Sequence, residues 1–169
     1  HCKTGDVMLF RTKGGNGGLI RAATGSAYDH VGLVLKFGNR QLGVLESLGN
    51  TGVQISNFEG FIKEKWHTQY SAVVVRHLHV EITPEMARRL DEFVRGVVGK
   101  KYSWTPGKSK RRTSHLEFND PNKTYFCSEV VAGAYKHMGL LRDSLPSAAY
   151  MPGAFEEGTN LLLLKGATL

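Results

Sequence analysis

The chain has 169 residues, 41% hydrophobic and 22% charged, a size and balance that fit one folded domain over residues 1–169 and exclude a disordered chain. No apolar run approaches the roughly 20 residues that cross a bilayer as a helix, and the run at 161–164 is far shorter. The formal charge of +7 points to an anionic partner such as a phospholipid surface or acidic polymer, met by electrostatic steering rather than by specific chemistry.

Residues 7–10 form an apolar run after Gly5-Asp6 and predict a first strand, broken by Gly14, Gly15, Gly17 and Gly18. These glycines lack the Gly-x-x-x-x-Gly-Lys-Ser/Thr spacing of a phosphate cradle, so they read as a turn and imply no nucleotide cofactor. A short helix is expected over 19–23, ending near Gly25. The runs 31–35 and 42–48 predict two strands turning at Gly38-Asn39, and 53–55 a third, which together make a small antiparallel meander. Phe58, Phe61 and Ile62 suggest a short amphipathic helix, and 72–75 another strand.

Thr83-Pro84-Glu85 combines an N-cap residue, a proline at the first helical position and an acid in the first turn. Met86, Leu90, Phe93, Val94 and Val97 then recur at helical spacing until Gly99, and core packing accounts for all of them. Residues 103–123 are polar, basic and rich in turn formers, an irregular connection long enough to suggest a lid. Lys108, Lys110, Arg111 and Arg112 there read either as a solvated loop or as a contact for substrate or an anionic membrane. Nucleic acid is not expected, because the cluster lacks a recognition helix or an aromatic stacking platform. Tyr125-Phe126-Cys127 leads into a final helix that carries Val130, Val131, Ala134, Tyr135 and Met138 and stops at Gly139.

Cys2 and Cys127 are the only cysteines, so no disulfide framework supports the domain. A reducing, cytoplasmic environment is favoured on that ground, with peripheral membrane association left open. Cys127 stands where a loop gives way to a helix, a position whose free amide groups favour a thiolate and a developing oxyanion. The competing reading is a small buried hydrophobe. A thiol nucleophile needs an imidazole, and His30 begins the strongest expected strand, from which a side chain can be aimed. His137 lies nearly three turns along the Cys127 helix, about 15 Å of axial rise away, too far to serve as its base. His77 and His79 share a strand face, but no third ligand accompanies them and no metal is implied. Glu46 ends up near His30 if 31–35 and 42–48 form a hairpin. With Gly38-Asn39 as the turn, however, it falls opposite residue 31, and reaching His30 requires a bulge or a shifted turn.

Gly5-Asp6-Val7, Asp29-His30-Val31-Gly32, Leu45-Glu46 with Gly52-Val53, Gly99-Lys100-Lys101-Tyr102 and Tyr125-Phe126-Cys127-Ser128-Glu129 together resemble the permuted papain-like hydrolases of the YiiX type, within the broad NlpC-like superfamily. The order histidine, acid, cysteine is the reverse of papain's cysteine-first order, as that permuted group requires. The Phe-Cys-Ser context differs from the Asn-Cys-Glu-His context of the related lecithin retinol acyltransferase group. The resemblance implies an α+β fold in which a small antiparallel sheet packs against helices and the nucleophile sits at a helix N-terminus. It implies Cys127 as nucleophile, His30 as base and then acid, and Glu46 as orienting acid. Asp6 would hold a turn, Glu129 the first turn of the helix, and Tyr28 and Tyr102 would line the cleft. The expected function is thiol-dependent hydrolysis of an amide, ester or thioester in a peptide-like or acylated substrate. Lys108, Arg111 and Arg112 are the candidate substrate contacts. The rival expectation is a noncatalytic domain of the same fold that binds an anionic membrane or polymer.

Overall fold

A computed structural model describes residues 1–15, 17–38, 40–104, 118–159 and 161–169. Its elements run β1 (Val7–Thr12), α1 (Gly17–Thr24), β2 (His30–Lys36), β3 (Leu42–Leu48), β4 (Gly52–Asn57), α2 (Phe58–Lys63), β5 (Tyr70–Arg76), α3 (Pro84–Val97) and α4 (Cys127–His137). Short 3-10 turns lie at Trp66–Gln69, Ser147–Ala149 and Pro152–Phe155. The fold is α+β, with an antiparallel five-stranded sheet in the order β4-β3-β2-β1-β5 and helices packed against it.

The sheet centre is covered on both faces, which is why β1 and β2 read as continuous apolar runs rather than alternating ones. Val7, Leu9, Val31, Leu33 and Leu45 share a core with residues of α3 and α4. Met8, Phe10, Val34 and Val44 point the other way, onto Phe58, Phe61 and Tyr70. Helix α3 buries the expected face of Met86, Leu90, Phe93, Val94 and Val97, and its N-cap Thr83 Oγ1 accepts from the Met86 N–H at 3.2 Å. Helix α4 is different in kind. Every residue from Cys127 to Lys136 is buried, the polar Ser128, Glu129 and Lys136 among them, because α4 runs between β2, β3 and α3.

Four of the short motifs turn out to be joints between these layers. Asp6 is fully buried and accepts from the N–H groups of Lys3 and Leu78 at 2.9 and 3.0 Å and from His77 Nδ1 at 2.8 Å, so it organises the entry to β1 as expected. Gly52 has a φ of +75°, and a Cβ there would lie 2.2 Å from the Lys100 carbonyl oxygen, which accepts from the Val53 N–H at 2.8 Å. Only glycine permits that crossing. The crossing delivers Tyr102 to a bridge with Tyr125, whose N–H donates to the Lys101 carbonyl at 3.0 Å. Ser47 Oγ then donates to the Tyr125 carbonyl at 2.8 Å, tying the chain just before Cys127 to β3 beside Glu46.

One expectation is corrected. The β2–β3 pairing runs Leu33↔Leu45, Val34↔Val44, Leu35↔Gly43 and Lys36↔Leu42, so Glu46 falls opposite Gly32 rather than residue 31. The loop is one residue longer than a two-residue turn. It closes where the Phe37 N–H donates to the Gln41 carbonyl at 2.9 Å, and Arg40 takes the left-handed conformation at φ +67°. Because strand side chains alternate, that one-residue difference moves Glu46 onto the face that carries His30.

Candidate active site

His30 opens β2 and Glu46 lies in β3, diagonal to it across Gly32. The His30 Nε2–H donates to Glu46 Oε2 at 2.6 Å, and the two side chains are only 12% and 10% exposed. Gly32 makes this reach possible: a Cβ there would meet Val44 Cγ1 at 2.4 Å and come 3.5 Å from Glu46 Cβ. Behind the imidazole, Phe10 packs with its ring centroid 5.3 Å away. The other Glu46 oxygen accepts from the Ser56 hydroxyl, which in turn takes a hydrogen bond from Gln54 Nε2 at 2.8 Å. Ser56 and Gln54 were not anticipated. They could be found by counting across the β3–β4 hairpin, where Glu46 pairs with Gln54 and Val44 with Ser56, which puts all four on one face.

Burial is the strongest single influence on His30 and disfavours its charged form. Hydrogen bonding and charge from Cys127, then from Glu46, outweigh it and raise the imidazole to about 10. Burial likewise works against the Glu46 carboxylate, yet the His30 hydrogen bond and charge, aided by Ser56 and Gln54, hold it below its ordinary value. His30 is thus flanked by the cysteine of α4 on one side and the carboxylate of β3 on the other. Those are the three residues singled out from the sequence.

Cys127 is 7% exposed and sits at the first position of α4, after Phe126 in extended conformation. The Glu129 carboxylate, fully buried, accepts from the Phe126 N–H at 3.4 Å and lies 3.2 Å from Lys123 Nζ, a helix-start role rather than a cleft role. Cys127 opens onto a narrow crevice of about 20 Å³ whose walls include Ile20, Asp29, Tyr102, Trp104 and Met151. Tyr102 is one wall of the crevice, and burial and the charge of Cys127 raise its phenol. Tyr28 does not; it is half-buried against the main core. On the opposite side of the sheet, Glu46 borders a larger cavity of about 400 Å³ walled by Phe10, Phe58, Phe61, Trp66 and Tyr70. Lys108, Arg111 and Arg112, with the rest of 105–117, lie outside the described residues.

The segment leading to His30 is pinned on its own account. Asp29 is buried and accepts from the Thr12 N–H at 3.1 Å, from the Thr12 hydroxyl and from the Arg21 guanidinium of α1. Among the described residues, no group of three or more His, Cys, Asp or Glu side chains is gathered to hold a metal ion, and no helix is long and apolar enough to cross a membrane.

Residues 1–145 match the family described as permuted papain-like amidase enzymes, YaeF/YiiX, C92 family. Among solved structures, the chain is similar to the metalloprotein yiiX from Escherichia coli O157:H7. The two are 22% identical over 83% of this chain and 68% of that one, with a TM-score of 0.59. At that identity the likeness is one of fold. No curated protein matches the chain.

Proposed function

The chain belongs to the permuted papain-like amidase family, and we propose that within it this protein is a cysteine-dependent hydrolase, with Cys127 as nucleophile, His30 as general base and then acid, and Glu46 as the orienting carboxylate. The observation that carries the reading is the placement of His30, which donates from Nε2 to Glu46 at 2.6 Å and has Cys127, at the start of α4, as its other side-chain hydrogen-bond partner. Glu46 engages Nε2, which leaves Nδ1 as the ring nitrogen for the Cys127 proton.

In this mechanism the proton from Cys127 Sγ resides on His30, as the raised imidazole favours, and the sulfur attacks the carbonyl carbon of an amide, ester or thioester. The C–S bond forms as the carbonyl π pair moves to oxygen. The backbone N–H of Cys127, at the start of α4, stabilises that oxyanion. The tetrahedral intermediate collapses, the bond to the leaving group breaks, and His30 returns the proton to the departing nitrogen, oxygen or sulfur. A water then gives its proton to His30 and attacks the acyl-enzyme. The acid is released, and the proton stays on His30. Capture of the acyl group by another nucleophile would make the same site a transferase. The substrate class is peptide-like or acylated, and the basic charge supports approach to an anionic surface.

Intact-mass labelling with p-nitrophenyl acetate, a peptide p-nitroanilide and an acyl thioester tests the assignment on the native protein and on Cys127→Ala, His30→Ala and Cys2→Ala. Acyl adducts are expected that require Cys127 and His30 and persist in Cys2→Ala, and the preferred probe identifies the bond class. Labelling confined to Cys2, or none, would transfer the case to the noncatalytic binding domain.

A further inference from the structure

The family match ends at residue 145, yet the chain beyond it reaches back to the catalytic half of the fold. Glu156 directs its carboxylate into the turn that precedes His30. Its Oε1 accepts from the Ala27 N–H at 2.8 Å and the Tyr28 N–H at 3.3 Å, and the Ser26 hydroxyl lies 2.5 Å from it. Ser26 Oγ also takes the Tyr28 N–H at 3.0 Å and lies against the Tyr28 carbonyl. One carboxylate oxygen therefore holds three consecutive residues, separated from His30 only by the pinned Asp29.

The segment that carries Glu156 is itself fixed at the other end of the site. The 3-10 turn Pro152–Phe155 buries Phe155 completely, edge-on to Tyr135 of α4 with ring centroids 6.2 Å apart. Met151 and Pro152 form part of the crevice at Cys127, and Gly153 backs onto Ser26 so closely that a Cβ there would lie 3.0 Å from Ser26 Cβ. The same few residues thus touch the nucleophile helix, the crevice and the histidine turn.

We infer that Glu156 is a positioning residue: the 151–156 segment braces the Ser26–Tyr28 turn against α4 and so sets the distance between His30 and Cys127. The inference rests on the cysteine-hydrolase reading. Two of its features make a dedicated role the better account. Side-chain-to-backbone clamping of a turn by a residue some 130 positions away is not local turn chemistry, which Ser26 already supplies. And a thiol–imidazole pair is sensitive to displacements on the ångström scale, so a brace between the two partners acts on reactivity before it acts on folding.

The test follows the His30 imidazole by long-range proton–nitrogen NMR titration, with Cys127 and Glu46 as the groups that face it. Iodoacetamide alkylation of Cys127 at pH 6.5, read by peptide mass, accompanies it in a Cys2→Ser background. Glu156→Ala should lower the His30 midpoint by about one pH unit and slow alkylation about tenfold. Ser26→Ala, the milder change and the control should Glu156→Ala fold poorly, should move both in the same direction. Glu156→Gln keeps an acceptor oxygen for the Ala27 and Tyr28 N–H groups and should retain the native values. A residue that merely stabilises the turn would lower the melting temperature and leave the His30 midpoint where it was, and that outcome overturns the inference. The two readings separate cleanly. Cys127→Ala leaving the His30 midpoint unmoved overturns the thiol–imidazole pair, whereas a midpoint that responds to Cys127→Ala but to neither Glu156→Ala nor Ser26→Ala overturns the brace alone.

Discussion

Replacing Glu46 by glutamine isolates the electrostatic part of the site, because the side chain keeps its shape and an oxygen for the His30 Nε2–H while losing its charge. The contact is 2.6 Å and largely shielded from water, so the two charge centres lie about 4 Å apart; at an effective dielectric of about 20 their attraction is about 4 kcal/mol. With 1.36 kcal/mol for each pH unit, that sets an upper limit near 3 units, and measured neighbour effects run from about 1 to 3. The His30 midpoint, raised to about 10 in the native protein, should therefore fall by about 1–3 units in Glu46→Gln. It should fall in Cys127→Ala as well, because Cys127 also raises the imidazole, by a hydrogen bond and by charge. The sign also fixes the stability profile. His30 is raised, so its contribution is full below its ordinary value of 6.5 and is lost as pH climbs towards 10. Glu46 is lowered, so its contribution is present above its ordinary 4.5 and is lost as pH falls through its depressed value. Urea denaturation across pH should show Glu46→Gln with a shallower acid limb than the native protein. Turnover, measured on whichever acyl probe labels Cys127, should drop about 10²-fold or more, the usual consequence of removing an orienting acid. An unchanged His30 midpoint in Glu46→Gln would refute the account of His30 as held between two anion-forming groups.

Two further substitutions test the scaffold of the site. In Gly32→Ala the new Cβ meets Val44 Cγ1 at 2.4 Å; overpacking of about 1–3 kcal/mol should exceed the roughly 0.4–1 kcal/mol gained from a stiffer unfolded chain, and urea titration should show net destabilisation. The same variant should lower the His30 midpoint, since Val44, which the Cβ forces aside, shares a face of β3 with Glu46, and a stable protein with a native midpoint would contradict the packing argument. Ser47→Ala removes the hydrogen bond to the Tyr125 carbonyl, which keeps a partner in the Ser103 N–H at 3.3 Å, so thermal unfolding should register only about 1 kcal/mol.

The strands and helices were legible because each carried a local signal strong enough to survive tertiary packing. The 42–48 run and the α3 face are the clearest cases, the second because its five apolar residues leave a polar face of Arg88, Arg89 and Arg95 paired with Glu85 and Asp91. What was not legible was register. The sequence offers Gly38-Asn39 as a turn, but Arg40 adopts the left-handed conformation that usually falls to glycine, and nothing in its side chain announces this. One residue of loop length decides whether Glu46 faces His30 or the opposite core. Burial supplies the other constraint: Glu46 lies among Val44, Leu45 and Leu48, where a carboxylate requires a partner, and the observed register provides it in His30.

The part of the site contributed by 146–169 was illegible for a different reason. It has neither helical nor strand periodicity, and its buried anchors, Ala148, Phe155 and Ala167, are spaced too irregularly to mark an amphipathic face. Phe155 is buried because Tyr135 leaves room beside α4, and Glu156 is useful because the Ser26–Tyr28 turn presents its amides there; both facts belong to the assembled fold. Short motifs reported the proposed base and nucleophile, His30 and Cys127, since these begin a strand and a helix, where local geometry is informative. The residues that hold them in place sit where the chain returns from far along the sequence. A positioning role of that kind is therefore found by asking what each buried backbone amide near the site donates to, and in this fold the question leads from His30 through Tyr28 and Ala27 to Glu156.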